Sequence, residues 1–294
     1  MELLVTLSHF DNLKRLTKKD VDGVIFGGPF SLRFKYNLDE IRQINKYCLN
    51  NNLKRYVTLD TFIFEKDKVA IYEYLDFLKE LNIDGLYFTD LGVVLMAGEA
   101  FKNKLIYDPE TLLTNSLDVN FYSKQNIGTV LSRELCLDEI NKIVENNLNR
   151  VDMQVFGHLK MSYSRRKFLS NYFKHVGSNL DLTNKRDVLL VEENRDYSLP
   201  IIEDRYGTRI YTDYIFLMYQ ELVPLKEKIK RAIVDDTFIG DFNLVCDVLR
   251  DLRRLSVDNY GFLYRNLVAK YKDYDFSDGY LYKKTSNVKG GNDE

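Results

Sequence analysis

The sequence predicts an α/β protein built as a (β/α)8-type, TIM-like barrel, and three observations carry that reading. Short apolar, β-rich runs alternate with longer amphipathic stretches, roughly every 20 to 30 residues, the rhythm of parallel strands joined by right-handed crossovers. The chain has 294 residues, a length that suits one such barrel. No glycine-rich phosphate turn follows the first strand, where Ser8-His9-Phe10 stands instead, and this disfavours an open dinucleotide-binding sheet.

The elements run in order. Glu2–Leu7 reads as a strand, Asp11–Lys19 as a short helix and Gly23–Phe26 as the next strand. Leu38–Asn50 carries Leu38, Ile41, Ile44, Tyr47 and Cys48 at helical spacing, with Asn37 placed to cap it. Arg55–Leu59 is a strand. Lys68–Leu81 follows as a helix with Ile71, Leu75 and Leu78 on one face. Gly85–Phe88, Leu105–Tyr107, Thr129–Leu131 and Met153–Phe156 continue the strand series, and Gly92–Ala100, Leu117–Lys124 and Leu137–Asn146 the helices. The rhythm breaks after about Tyr172. Residues 176–212 form a β-rich insertion, with Val188–Val191, Ile201–Ile202 and Thr208–Tyr211 around the turn Asp204-Arg205-Tyr206-Gly207. Helical periodicity returns over Asp213–Ile229. Ala232–Val234 or Thr237–Ile239 supplies the last strand, and Phe242–Leu255 and Tyr260–Tyr271 are closing helices. The barrel is expected to occupy 1–284 as one domain, with 285–294 a frayed polar tail.

Composition narrows the function classes. A net charge of −2 creates no global field toward nucleic acid or anionic membranes, so any RNA contact must rest on a local patch. Three widely spaced cysteines (Cys48, Cys136, Cys246) argue against a disulfide framework and for a reducing compartment. The first ten residues lack a signal-peptide pattern, and no apolar run approaches the ~20 residues of a membrane span. A soluble, cytoplasmic protein without a membrane partner is expected.

In a parallel barrel, chemistry sits where strands end. Those ends offer Ser8 and His9; Gly27, Gly28 and Arg33; Asp60 and Thr61; Asp90; Asp108 and Glu110; Arg133 and Glu134; and His158. Any single one is explained as a polar loop residue; the ring of them points to a site. Arg133-Glu134, directly after a strand, pairs an anion holder with a proton-transfer group, though a surface ion pair reads equally well. Ser162–His175 holds Arg165, Arg166, Lys167 and Lys174 with no acid, interleaved with Tyr163, Tyr172 and other aromatics. Cations beside stacking rings suit single-stranded RNA, while an amphipathic helix with a basic outer face fits the composition as well. No nucleophile elbow, HExxH, Walker loop or CxxC pair is present, and His9, His158 and His175 share no metal-ligand spacing.

The segments ELLVTLSHFDNLKRL, GVIFGGPFSLR, DPETLLTN, VLSREL, QVFGH followed by SYSRRKFLSNYF, PIIEDRYGTRIY and GYLYKKT, taken in that order, resemble peptidase family U32, the collagenase-like peptidases, over nearly the whole chain. The resemblance is closest to a short branch that takes part in oxygen-independent hydroxylation of tRNA, making 5-hydroxyuridine at the wobble position with prephenate implicated. It implies a role in tRNA modification here. On this reading Arg133, Glu134 and His158 form the catalytic group and hold a small carboxylate co-substrate such as prephenate. His9, Arg33, Asp60, Asp90, Glu110, Asn115, Tyr163, Arg165, Arg166, Lys167, Asn171 and Tyr172 bind substrate.

Many relatives carry four cysteines for a [4Fe–4S] cluster, the first two just after the Gly-His strand end. Here that stretch, His158 to Lys167, has none, and the last strand lacks the usual K-I-E-G-R, its nearest run being Asp235–Gly240. No cluster and no metal are therefore expected in this chain, and a longer, cluster-bearing paralogue is an expected partner beside tRNA. Two other readings stand beside the tRNA one. The first is a metal-assisted or unclassified peptidase drawing on Asp60, Asp90, Asp108, Glu110 and His158. The second is a non-catalytic binding module.

Overall fold

The computed structural model describes residues 1–191, 193 and 196–283; the expected frayed tail, 285–294, lies outside them. Ten strands form one curled, mostly parallel sheet. They are β1 (Glu2–Thr6), β2 (Gly23–Phe26), β3 (Lys54–Leu59), β4 (Gly85–Phe88), β5 (Leu105–Tyr107), β6 (Gly128–Thr129), β7 (Val151–Gly157), β12 (Ile215–Leu217), β13 (Ile229–Val234) and β14 (Phe276–Ser277). Their order is β14-β12-β7-β13-β1-β2-β3-β4-β5-β6, and only β12 runs antiparallel to its neighbour β7. The sheet curls far enough for a parallel bridge between Val130, just past β6, and Asp152 in β7, with Leu131 N donating to Asp152 O at 3.0 Å.

Strand alternation sorts side chains to two faces. Leu4, Ile25, Tyr56, Tyr87, Ile106, Val130 and Ile233, one from each of seven neighbouring positions round the sheet, form a separate buried cluster on the concave side. Their sequence neighbours, such as Leu3, Val5, Val24, Val57 and Leu86, face outward into the main core. That core is closed by helices between the strands. The helix α1 (Leu38–Asn50) begins with a capping box, Asn37 accepting from Glu40 N while Glu40 accepts from Asn37 N, and buries Ile41, Ile44 and Cys48. Lys68–Glu80 (α2), Gly92–Ala97 (α3), Ser116–Ser123 (α4) and Leu137–Asn146 (α5) follow the expected places. The short helix expected over Asp11–Lys19 is one 3-10 segment, Phe10–Arg15.

The departures fall in the second half. A four-stranded antiparallel sheet, ordered β8-β11-β10-β9, comprises β8 (Lys160–Ser164), β9 (Leu189–Val191), β10 (Ser198–Asp204) and β11 (Gly207–Tyr211). The insertion therefore begins at residue 160 rather than 176. The basic-aromatic stretch is half strand and half helix, with α6 spanning Phe168–His175. The helical periodicity read over Asp213–Ile229 instead covers β12, a single helical turn α7 (Leu222–Leu225) and the start of β13. Of the two candidates for the last strand, Ala232–Val234 is the one that pairs, parallel to β1 and to β7. Two helices, α8 (Phe242–Arg254) and α9 (Tyr260–Lys270), follow before the short strand β14. Among the described residues no helix is long and apolar enough to cross a membrane.

Candidate functional site

Buried charges converge at the carboxyl edge of the parallel strands. Arg33, in the loop after β2, donates from Nε to Asp60 Oδ2 at 2.8 Å and from Nη1 to Asp235 Oδ2 at 2.6 Å. Asp60 directly follows β3 and Asp235 directly follows β13, so one guanidinium ties together distant turns of the sheet. Leu32 N also donates to Asp60, at 2.8 Å. Arg209 reaches in from β11 of the insertion, its Nη1 3.0 Å from Asp60 Oδ2. Burial alone would raise the Asp60 carboxyl, but Arg209 and Arg33 outweigh it and hold Asp60 below the usual carboxylate range.

A second group completes the edge. Asp108, past β5, is held bidentately by Arg133 Nη1 and Nη2 at 3.0 and 3.1 Å, and Arg133 Nε donates to Gln154 Oε1 at 2.6 Å. Glu110 forms an ion pair with Lys160 of β8, both almost fully buried. Glu110 also sits at φ 70°, a left-handed conformation that a residue with a side chain adopts only when its surroundings impose it. His158 follows β7, and its Nδ1 lies 2.7 Å from Thr212 O; burial lowers its pKa, so the ring stays neutral near pH 7. The preceding Gly157 has φ 111°, and a Cβ there would stand 2.3 Å from Asp235 O, so glycine is what lets β7 and β13 close together at the site.

Asp236 lies beside this group and accepts from Thr6 Oγ1 (2.6 Å), Ser8 Oγ (2.7 Å) and Ser8 N (2.9 Å). Burial, reinforced by neighbouring Asp235, pushes its carboxyl up to about 6. A carboxyl raised in the folded state contributes stability below its unfolded pKa and loses it as pH rises through the folded value. The Asp236→Asn variant should therefore gain stability relative to the native chain between pH 4 and pH 7, by at most about 3 kcal/mol at 1.36 kcal/mol per pKa unit. Paired urea titrations at the two pH values check this; a difference that does not change with pH would refute the shift.

Several donors in this region have no acceptor. Arg209 is fully buried, yet Nε, Nη1 and Nη2 all lack a hydrogen-bond partner among the described residues, the contact with Asp60 being an ion pair without hydrogen-bond alignment. Tyr211 Oη and Thr237 Oγ1 are likewise buried and unpartnered. Buried donors left this way cost about 1–3 kcal/mol each. The arrangement suits a small ligand that supplies oxygen acceptors.

The insertion is fastened over the edge. Tyr163 stacks on Phe62 with ring centroids 4.9 Å apart and donates to Tyr206 O at 3.2 Å, while Arg209 lies over the Tyr163 ring. Lys35 pairs with Asp204 at 2.5 Å. Buried Glu203 accepts from Leu169 N (2.7 Å) and Ser170 N (3.0 Å), so a carboxylate holds the start of α6 where the helix dipole favours it. This fixes the preceding loop, where Arg165, Arg166 and Lys167 are solvated and Arg165 lies 4.1 Å over the Phe64 ring. Asn171 and Tyr172 are exposed on α6.

Of the residues expected from sequence, the structure brings together Arg33, Asp60, Glu110, Arg133 and His158, with Tyr163 above them. It does not bring Glu134, whose side chain is exposed, nor His9, exposed ahead of the 3-10 segment. Asp90 accepts from Ile63 N and Gly92 N and organises the start of α3. Asn115 caps α4 on the surface through Asp118 N. Lys160, Arg209 and Gln154 carry no mark in the sequence that singles them out. The signal for them is alternation: Arg209 and Tyr211 are two apart on β11 and share one face.

The donor set does not fit a four-cysteine cluster. Cys48 is buried on α1, where burial pushes its thiol up to about 12; Cys246 is buried on α8; and Cys136 sits at the start of α5. Among the described residues no three His, Cys, Asp or Glu side chains are grouped to hold a metal ion, and Asp60, Asp108 and Glu110 are each committed to a cation.

Known proteins resemble the chain in sequence and in fold. The model of "Peptidase family U32" matches residues 8–232. A "tRNA hydroxylation protein P2" of Bacillus subtilis is 30% identical over 233 residues, 76% of this chain and 75% of that protein. An uncharacterized protease of Methanocaldococcus jannaschii is 32% identical over 70% of this chain but only 54% of its own length, and a collagenase of Porphyromonas gingivalis is 22% identical over 60% of this chain and 47% of its own. Among solved structures, a U32 peptidase aligns with TM-score 0.50 at 13% identity, covering 80% of this chain and 92% of that one.

Proposed function

Since the chain belongs to peptidase family U32, we propose that it takes part in hydroxylation of tRNA uridine at the wobble position, alone or as the partner of a longer, cluster-bearing paralogue. The curled sheet is read as a (β/α)8-type barrel closed through the Val130–Asp152 bridge, its carboxyl edge being the active mouth. The observation that carries the proposal is the placement of Arg165, Arg166 and Lys167, solvated and next to exposed Phe168 and Tyr172, on an insertion whose own Arg209 and Lys160 enter the buried mouth. One element thus offers phosphate contacts and stacking rings outside and unpartnered donors inside. The relationship to a protein described as acting in tRNA hydroxylation supports the same reading. Arg209, with Tyr211 Oη and Thr237 Oγ1 nearby, is the anchor for a small carboxylate co-substrate such as prephenate. Arg133, held by Asp108, orients Gln154 beside neutral His158.

The test is nucleoside mass spectrometry of total tRNA from cells lacking this gene, and lacking the paralogue as well. Loss of 5-hydroxyuridine derivatives is expected; an unchanged profile in the double deletion ends the proposal. In vitro, Arg165→Ala with Arg166→Ala should weaken tRNA binding uniformly across sequences and lower the salt slope by about one for each phosphate that is no longer neutralised. A filter-binding series from low to high salt reads both quantities, and an unmoved slope removes these arginines from the interface. A peptidase reading rests on the collagenase and protease relatives, but of the carboxylates it would draw on as ligands Asp60, Asp108 and Glu110 are engaged by Arg33, Arg133 and Lys160, and Asp90 accepts from two backbone N–H groups.

A further inference from the structure

A cavity of about 550 Å³ lies outside the charged edge, between β12, β14 and α9, within the size range of small-ligand sites. Tyr219, Tyr260, Tyr264, Phe276 and Tyr282 supply its aromatic lining. Tyr264 and Tyr282 are substantially exposed, so their rings are open to a ligand rather than buried in the core. Facing them is Glu221, only 8% exposed. Its Oε1 accepts from Tyr282 Oη, and among the described residues no other donor and no cation engages it. A nearly buried carboxylate with a single hydroxyl partner has acceptor capacity to spare. Arg265 stands at the rim with no ion-pair partner among the described residues, its Nη1 close over Gly261.

We propose that this cavity is a guanine-base site. A flat heterocycle stacks on the tyrosines, and adjacent N–H donors on its edge, which guanine alone of the common bases presents as N1–H and N2–H2, meet the free face of Glu221. Arg265 reaches the attached phosphate. A cationic ligand is the other chemistry that rings and a carboxylate attract, and the guanidinium at the rim opposes it. The base belongs to a nucleotide splayed from the RNA, a source that rests on the tRNA reading above. The cavity abuts β12, which pairs with the end of β7 that leads into His158. A free guanine nucleotide would present the same chemistry.

The experiment titrates the full chain with GMP, AMP, UMP and tetramethylammonium by calorimetry or ligand-observed NMR, for the native protein, Glu221→Gln and Tyr264→Ala. GMP should bind at least tenfold more tightly than AMP or UMP. Glu221→Gln should remove that preference while leaving weak stacking, and Tyr264→Ala should weaken all bases about fivefold or more. Absence of GMP binding, equal affinity for all bases, or a preference for tetramethylammonium overturns the site. The same variants are then tested on tRNA. If tRNA binding falls in Glu221→Gln, the base is RNA-borne; if GMP binding falls and tRNA binding does not, the site stands for a free nucleotide. Failure of GMP to bind while Arg165→Ala with Arg166→Ala still weakens tRNA binding sinks the cavity and spares the tRNA reading. GMP binding without any tRNA binding does the reverse.

Discussion

Replacing Asp60 with alanine is expected to lower the stability of the protein by about 3–5 kcal/mol, the cost of stripping the partner from a buried charge. Asp60 accepts from Arg33 Nε and Leu32 N and forms an ion pair with Arg209 Nη1, and all three partners are buried. Without it, Arg33 keeps only Asp235, Arg209 is left with no ion-pair partner among the described residues, and neither guanidinium can be neutralised by losing a proton. For a chain of this size the melting midpoint should fall on the order of 10 °C. The double variant Asp60→Ala with Arg209→Met should recover part of the loss, because it removes one stranded cation together with its partner. A double-mutant cycle by chemical denaturation measures the coupling. A loss under about 1 kcal/mol, the range of exposed ion pairs, would mean that the cluster is solvated rather than closed.

The second large effect is expected at Gly207, where β10 turns into β11. Its φ is 132°, and a Cβ would meet Ser164 O at 2.0 Å and Arg165 Cα at 2.8 Å. Both are backbone atoms of β8 and the loop after it, so no side chain can give way. Gly207→Ala should cost about 2–5 kcal/mol from positive φ and overpacking together. The damage should be local. Hydrogen exchange should show reduced protection over residues 160–164 and 198–211 while β1 to β5 keep theirs. Since Lys160 and Arg209 ride on those strands, the tRNA modification proposed above should fall with them. Uniform deprotection throughout the chain would contradict a separable insertion.

The parallel part of the sheet was legible because its strands and helices carry their own periodicity, and α1, α4 and α5 begin with local caps. Asn37, placed to cap α1, does so, and Gly85–Phe88 and Leu105–Tyr107 appear where the apolar runs place them. The insertion was less legible because its strands are paired by non-local contacts. Lys160–Ser164 has little hydrophobic signal of its own and is a strand because β11 hydrogen-bonds to it. The same cause hid part of the site. Arg33, Asp60 and Arg133 announce themselves as polar residues at strand ends. Lys160 and Arg209 sit inside strands of another sheet, and only tertiary docking turns them toward Glu110 and Asp60. Glu134 illustrates the converse: it adjoins Arg133 in sequence, but its side chain is exposed.

The pairing of β1 with β13 joins residues more than two hundred positions apart, Leu4 opposite Ile233 and Val5 opposite Val234. On the ribosome, at about 5–20 residues per second, the partner of the first strand is made roughly 10–50 s after the strand itself. Throughout that interval one edge of β1 presents unpaired N–H and C=O groups, and Thr6 and Ser8 await the carboxylates of Asp235 and Asp236. The nascent chain thus spends most of its synthesis as an open, sticky ribbon, and the sheet and its charged edge are completed together near the end of translation.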